Sequence, residues 1–253
     1  MLPSGHSSAL ELPMYSMTHE GVSSGCSMNE VYRLAHRASQ SFANVLIVGE
    51  SGVGKEYLAR QIHRHRDPEE REFRVYRCYS SELDLEKIRG LIFRSRDQVN
   101  DQYRGTLFFK SLDRVSDKDQ LQLLEVLDEE KIGRLLQGAP DFQSPRMICS
   151  SEKGFNGKQS GNGLLPSLLY HLDIIHIEIP PLRERKSEIL LMANVFLREY
   201  KIKYGKNISG FSLSARRMLI DYDWPGNVRE LRRVVEEAVI LTQGRIVEDI
   251  FFM

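Results

Sequence analysis

The chain has little of what would place it outside a cell or in a membrane. Its three cysteines, Cys26, Cys78 and Cys149, are few, odd in number and far apart. That argues against a disulfide framework or a zinc site and fits a reducing cytosol. No apolar run approaches the roughly 20 residues of a membrane helix. The N-terminal stretch "MLPSGHSSALELPMYSMTHEG" has no basic start followed by an apolar run, so no signal peptide is expected. Neither sign of charge is in excess, with Lys+Arg and Asp+Glu at 35 each. That speaks against a protein that coats nucleic acid, while leaving room for a local basic patch. No internal repeat is visible. What the chain does have is 253 residues, 41% of them hydrophobic, enough for one large domain or a large and a small one around a real core. A cytoplasmic protein without a membrane segment is expected.

Residues 1–20 are rich in Ser, Gly and Pro and read as a loose arm. Met28 to Ala38 places Met28, Val31, Leu34 and Ala35 on one helical face. Val45–Val48 is an apolar run that stops at Gly49, as a buried parallel strand does. Leu58 and Ile62 give the helix after Lys55 a buried stripe. Further strands are expected at Phe73–Cys78, Thr106–Phe109, Arg146–Ser150 and Ile174–Ile179, with a helix from Asp119 to Ile132 carrying Leu121, Leu124 and Leu127 on one side. Strands alternating with helices predict a doubly wound parallel sheet. After "PPLRER" (Pro180–Arg185) the remainder reads as helix: Glu188–Tyr204, Ser214–Tyr222 and Asn227–Thr242. The expected division is an arm over 1–20, an α/β domain over 21–180 and a small all-helical lid over 181–253.

Between the first strand and its helix, Gly49, Glu50, Ser51, Gly52, Val53, Gly54 and Lys55 match G-x-x-x-x-G-K. Glycines let the backbone wrap an anion with several N–H groups, and the helix behind adds its positive end. Lys55 can reach the β- and γ-phosphates as a point charge. The bland alternative is a glycine-rich turn that binds nothing, in which Lys55 would gain little. The next residue is Glu56, where Ser or Thr usually ligates Mg²⁺.

Taken in order, these stretches resemble the AAA+ domains of sigma-54-dependent transcription activators. "GESGVGKE" is close to that family's G-E-S-G-T-G-K-E, in which Glu at this place is normal. "MNEVYRLAHRAS" resembles its first helix, "FRVYRC" its F-V-x-x-N-C strand and "RGTLFF" its G-G-T-L-F-L-D-E. "LLYHLDIIHIEIPPLRERKSEI" resembles L-Y-Y-R-L-N-V-x-x-I-x-L-P-P-L-R-E-R-x-x-D-I, and "WPGNVREL" is identical to the C-terminal signature. The likeness runs from about Glu20 to about Gly244. It implies an AAA+ P-loop NTPase fold with a helical lid. It also implies ATP bound between subunits of a ring, and hydrolysis that remodels sigma-54 RNA polymerase.

The departures from that family fall at the chemistry. Lys110 and Ser111 stand where the resemblance puts the acids that support Mg²⁺ and polarise water. Exchanging a carboxylate for an ammonium shifts the local charge by two units, each worth about 4 kcal/mol at ~4 Å and an effective dielectric of about 20. That opposes Mg²⁺ at its usual place. Lys110 either snorkels to the surface or faces a phosphate, where its ammonium would partly replace Mg²⁺. Asp113 could substitute as an acid only through a register shift. Arg77 aligns with the Asn that restrains the family's catalytic Glu, and Glu152 with the first sensor's Asn. Leu165 and His171 align with two interface arginines, whose kind is worth on the order of 10³–10⁵ in rate. His171 reads most simply as a helix-surface histidine. The stretch between Cys78 and Gly105 contains no G-A-F-T-G-A, the loop that grips sigma-54 in the family. Arg229 matches the second sensor, or else is a surface arginine paired with Glu230 or Glu236; Arg183 and Arg185 are open to structural and nucleotide-facing roles alike.

The expectation is a nucleotide-binding regulatory protein, a pseudo-ATPase with no catalytic residue and no metal ligand assigned. Its site comprises residues 49–56, Glu56 included, with Arg229. ATP or ADP is the expected ligand, and the protein's own copies or related AAA+ regulators are the expected partners. No helix-turn-helix DNA-binding domain is expected within this chain. An active ATPase with substituted residues and a nucleotide-free interaction module remain as alternatives, and a cyclic dinucleotide remains open as ligand.

Overall fold

The computed structural model describes residues 28–66, 72–78, 85–93, 105–137, 145–152 and 163–252. The expected N-terminal arm lies outside them, as does most of the stretch in which the G-A-F-T-G-A loop was sought.

Five strands form one parallel sheet in the order β2-β3-β4-β1-β5. They are β1 (Val45–Val48), β2 (Phe73–Arg77), β3 (Thr106–Lys110), β4 (Arg146–Ser151) and β5 (Ile175–Glu178). The central strands are buried on both faces, and β1 and the middle residues of β3 and β4 are accordingly apolar without alternation. The pleat sorts these side chains into two cores. On one face Val45, Ile47, Phe108, Ile148 and Ile177 meet helices α1 (Met28–Ser39) and α2 (Lys55–Arg66). On the other, Leu46, Val48, Leu107, Phe109, Met147 and Cys149 meet α3 (Leu85–Phe93), α4 (Asp117–Gln137) and α5 (Pro166–Leu172). This is the doubly wound arrangement that the alternation of elements predicted, an α/β AAA+ P-loop fold followed by a helical lid.

Two details differ from the reading of the sequence. Among the described side chains of α4 the buried apolar ones are Leu123, Val126 and Leu127, while Leu121 is half exposed, so the apolar stripe is rotated from the one expected. The C-terminal part holds more than helix. Besides α6 (Lys186–Lys203), α7 (Leu213–Asp221) and α8 (Asn227–Leu241), a short parallel ladder joins β6 (Gly210–Phe211) to β7 (Ile246–Val247). Two-residue strands carry too little periodicity to be seen in a sequence.

Contacts divide the described residues into two units. One takes residues up to 185 together with Asp223–Glu230; the other takes 186–222 and 231–252. The second unit has its own core, with Phe196, Leu197, Phe211, Leu219 and Val235 buried. Arg232 is bound there to Glu199 and to the Tyr200 hydroxyl, and Glu236 accepts from both Lys203 and Tyr204. No helix among the described residues is long and apolar enough to cross a membrane.

Candidate functional site

The carboxyl end of β1 runs into the loop at Gly49, and Lys55 opens α2 behind it. The loop is built tightly enough that side chains are excluded. At Gly52 φ is +82°, and a Cβ there would stand 2.2 Å from the Gly226 carbonyl oxygen. A Cβ at Gly49 would meet the Ile179 carbonyl oxygen at 2.8 Å. Val53 is buried, and its carbonyl accepts a hydrogen bond from Arg185 Nη2 at 3.0 Å. The Lys55 ammonium donates to the carbonyls of Gly49 (2.5 Å) and Glu50 (2.9 Å). Burial lowers the Lys55 pKa; Glu152 and Asp113 oppose this, while Arg229 and Lys110 add to it.

The "WPGN" turn braces this loop from the far end of the sequence. Asn227 is fully buried with φ +55°. Its Oδ1 accepts from Leu182 N at 2.8 Å, and its Nδ2 donates to Glu50 Oε2 (3.0 Å) and the Ser51 carbonyl (3.1 Å). Glu50 is gripped on its other side by both terminal nitrogens of Arg183, at 2.7 and 3.0 Å. These hydrogen bonds, from Arg183 first and Asn227 second, hold the Glu50 carboxyl below its usual pKa. Arg229 donates its backbone N–H to the Gly52 carbonyl at 3.2 Å and its guanidinium to Ser51 Oγ at 3.0 Å. Asn227 was not singled out in the sequence, although an Asn directly after a turn Gly is a recognisable signal for left-handed backbone.

At the ends of β3 and β4 the charges take an unexpected arrangement. Lys110 neither snorkels away nor stands free: its ammonium is 2.8 Å from Glu56 Oε2, and Arg60 holds Oε1 of the same carboxylate at 2.9 Å. Partial burial works against the Glu56 charge, and Lys110 and Arg60 outweigh it, so its pKa is lowered. Ser111 follows in left-handed conformation (φ 59°), buried, its N–H bonded to Ser150 Oγ. The chain then makes a 3-10 turn, Leu112–Arg114. That turn, with β3 in regular register against β2 and β4, brings Asp113 close enough to act on Lys55; no register shift is involved. Asp113 Oδ2 accepts from the Glu152 N–H at 3.2 Å, and its Oδ1 is buried without a partner. Glu152 is paired with Arg114 at 3.0 Å. Burial disfavours the Glu152 charge, but hydrogen bonds from Arg114 and Ser51 and the charge of Lys55 leave its pKa lowered.

All the residues expected at the site are therefore assembled in one place: the loop from Gly49 to Lys55, Glu56 on the first turn of α2, and Arg229 against Ser51. Leu165 and His171 are engaged elsewhere. Leu165 packs on the core and donates its N–H to Gln120 Oε1, and His171 lies 3.2 Å from Asp128. Besides Arg183 and Arg185, which are held on Glu50 and the Val53 carbonyl, the loop has Lys55 within it, Arg229 on Ser51 and Lys110 on Glu56 beside it, an arrangement able to receive a polyanion.

A family model described as the sigma-54 interaction domain matches residues 22–178, and one described as the AAA+ ATPase lid domain matches 183–250. Among curated relatives, the nitrogen fixation protein AnfA of Azotobacter vinelandii is 32% identical over 230 residues, covering 87% of this chain and 43% of its own. The transcriptional regulatory protein ZraR of Salmonella typhimurium is 30% identical over 250 residues, covering 94% of this chain and 57% of its own. The chain thus spans about half the length of the curated relatives it matches. Among solved structures, NtrX from Brucella abortus in complex with ADP superposes with a TM-score of 0.70 at 22% identity, over 90% of this chain and 53% of NtrX. The same protein in complex with ATP gives 0.69 at 23% identity, over 92% and 55%.

Proposed function

The chain belongs to the sigma-54 interaction domain family, with an AAA+ lid behind it, and on that premise we propose that it is a nucleotide-binding regulatory protein that does not turn ATP over at an appreciable rate. It holds ATP or ADP in the loop Gly49–Lys55, with Arg229 on the phosphates, and acts in the cytoplasm on its own copies or on related AAA+ regulators. The reading rests on one observation above others: the end of β3 carries an ammonium tied to Glu56 where Mg²⁺ would need an acid, followed by Ser111 where water activation would need one. With no G-A-F-T-G-A in the sequence, direct engagement of sigma-54 is not part of the proposal.

Nucleotide binding to the folded state alone must raise apparent stability, by about 2.7 kcal/mol at a hundredfold excess over Kd. Thermal unfolding with ATP or ADP should show this rise in the wild-type chain and none in Lys55→Ala, and phosphate release should stay at background in both. A flat response to every nucleotide would leave an interaction module as the function. One observation favours a second reading, an active ATPase with displaced acids: Asp113 and Glu152 both act on Lys55. Phosphate release that disappears in Lys55→Ala and in Asp113→Asn would establish it and remove the first.

A further inference from the structure

P-loop proteins hold their divalent cation from two places, the residue after the loop lysine and the end of the strand that carries the acids. Here those places are Glu56 and Lys110, and they are bonded to each other at 2.8 Å. Mg²⁺ wants near-octahedral oxygen ligands, one or two of them carboxylates. This pair offers one carboxylate, already shared between Lys110 and Arg60. Among the described residues no cluster of three or more His, Cys, Asp or Glu could hold a metal ion. The residues present do not fit Mg²⁺ at that position.

We propose that the Lys110 ammonium, docked on Glu56, takes the place of the divalent cation, so that this chain binds a nucleoside di- or triphosphate without metal. The inference rests on the nucleotide-binding reading above. Its geometry has three parts. Lys110 sits at the last position of β3 with about one third of its side chain exposed, and a lysine stem with rotatable donors can turn from one acceptor to another. Glu56 does not lose its counter-charge when Lys110 turns away, because Arg60 stays on the other oxygen at 2.9 Å. No bare, half-buried carboxylate is left behind, which would be costly. Lastly, the positive charges of Lys110 and Arg229 both disfavour that of Lys55, and a metal-free polyphosphate, more negative than its metal complex, relieves that repulsion. The step is association alone; no bond is made or broken.

Isothermal titration of the full chain with ATP and with ADP, in excess EDTA and in excess Mg²⁺, tests this. The two Kd values should agree within about threefold, less than 1 kcal/mol. Lys110→Ala should weaken binding in EDTA by about tenfold or more, the size of a lost charge-assisted hydrogen bond. Lys110→Arg should retain it, and Lys110→Asp should make binding depend on Mg²⁺. Thermal unfolding without nucleotide checks that each variant folds, and Lys110→Arg keeps the test decisive if the others do not. A strict Mg²⁺ requirement in the wild-type chain overturns the proposal, as does Lys110→Ala binding in EDTA as tightly as wild type. Mg²⁺-dependent binding that Asp113→Asn abolishes overturns it too, and puts a metal on Asp113 instead. Absence of binding in both media overturns the nucleotide reading itself.

Discussion

The phosphate loop and the carboxyl end of β3 both act on Lys55, yet the chain secures them differently. In the loop, backbone and side chains close on each other: Asn227 binds three groups, Arg183 takes both oxygens of Glu50, and Arg229 binds Gly52 and Ser51. At the end of β3 the pairs are partly exposed ions, Lys110 with Glu56 and Arg114 with Glu152, and one oxygen of Asp113 has no partner. Asn227 is fully buried with its amide satisfied, which makes it costly to disturb, whereas the ion pairs on both sides, Arg183 with Glu50 included, are exposed enough to contribute little to stability. The loop is braced as structure and the end of β3 is built as adjustable charge, as the proposed function, holding a ligand without transforming it, would require.

Breaking the loop side should have the largest effect. Gly52→Ala would force a side chain into left-handed backbone and against the Gly226 carbonyl. It should destabilise by about 1–3 kcal/mol or more and remove the nucleotide-dependent rise in unfolding temperature. Acid should reveal the next effect. Glu50 has a lowered folded-state pKa, so its contribution is present above the unfolded carboxylate value and is lost as pH falls through the folded one. From about pH 5 downwards the wild-type unfolding temperature should drop more steeply than that of Glu50→Gln; parallel curves would show that the Arg183–Glu50–Asn227 contact is idle. The smallest effect belongs to the acid side. Asp113→Asn should change stability by no more than about 1 kcal/mol, since only one of its oxygens is bonded. It should also leave nucleotide binding intact, and a large loss there would mean the two sides are not so different.

Much of this was legible in the sequence, because the signals are local. Val45–Val48 reads as a buried strand from four consecutive apolar residues, and the loop that follows has its glycines where φ or space demands them. Arg229 was legible through its signature, although as a lid residue, whereas its contacts group it with the α/β unit. What stayed hidden depends on long-range meetings. Glu56 and Lys110 are 54 residues apart, and only the sheet order brings α2 and the end of β3 together. Asn227 reaches Glu50 across 177 positions. Asp113 entered the site through a 3-10 turn behind a left-handed serine, a backbone feature that no hydrophobic pattern announces. Leu121 was misplaced because α4 has apolar residues on more than one face, and burial selects among them.

The distance in sequence between the loop and its brace has a consequence for the order in which the molecule can be made. A growing chain exposes Gly49–Lys55, and then the rest of the sheet that supports them, while Leu182 N, Glu50 and the Ser51 carbonyl still wait for Asn227. Everything between, from residue 186 to 222, belongs to the other unit. The loop is thus synthesised well before the clamp that completes it. A nascent chain holds a glycine-rich turn without its clamp until residues 223–230 have emerged.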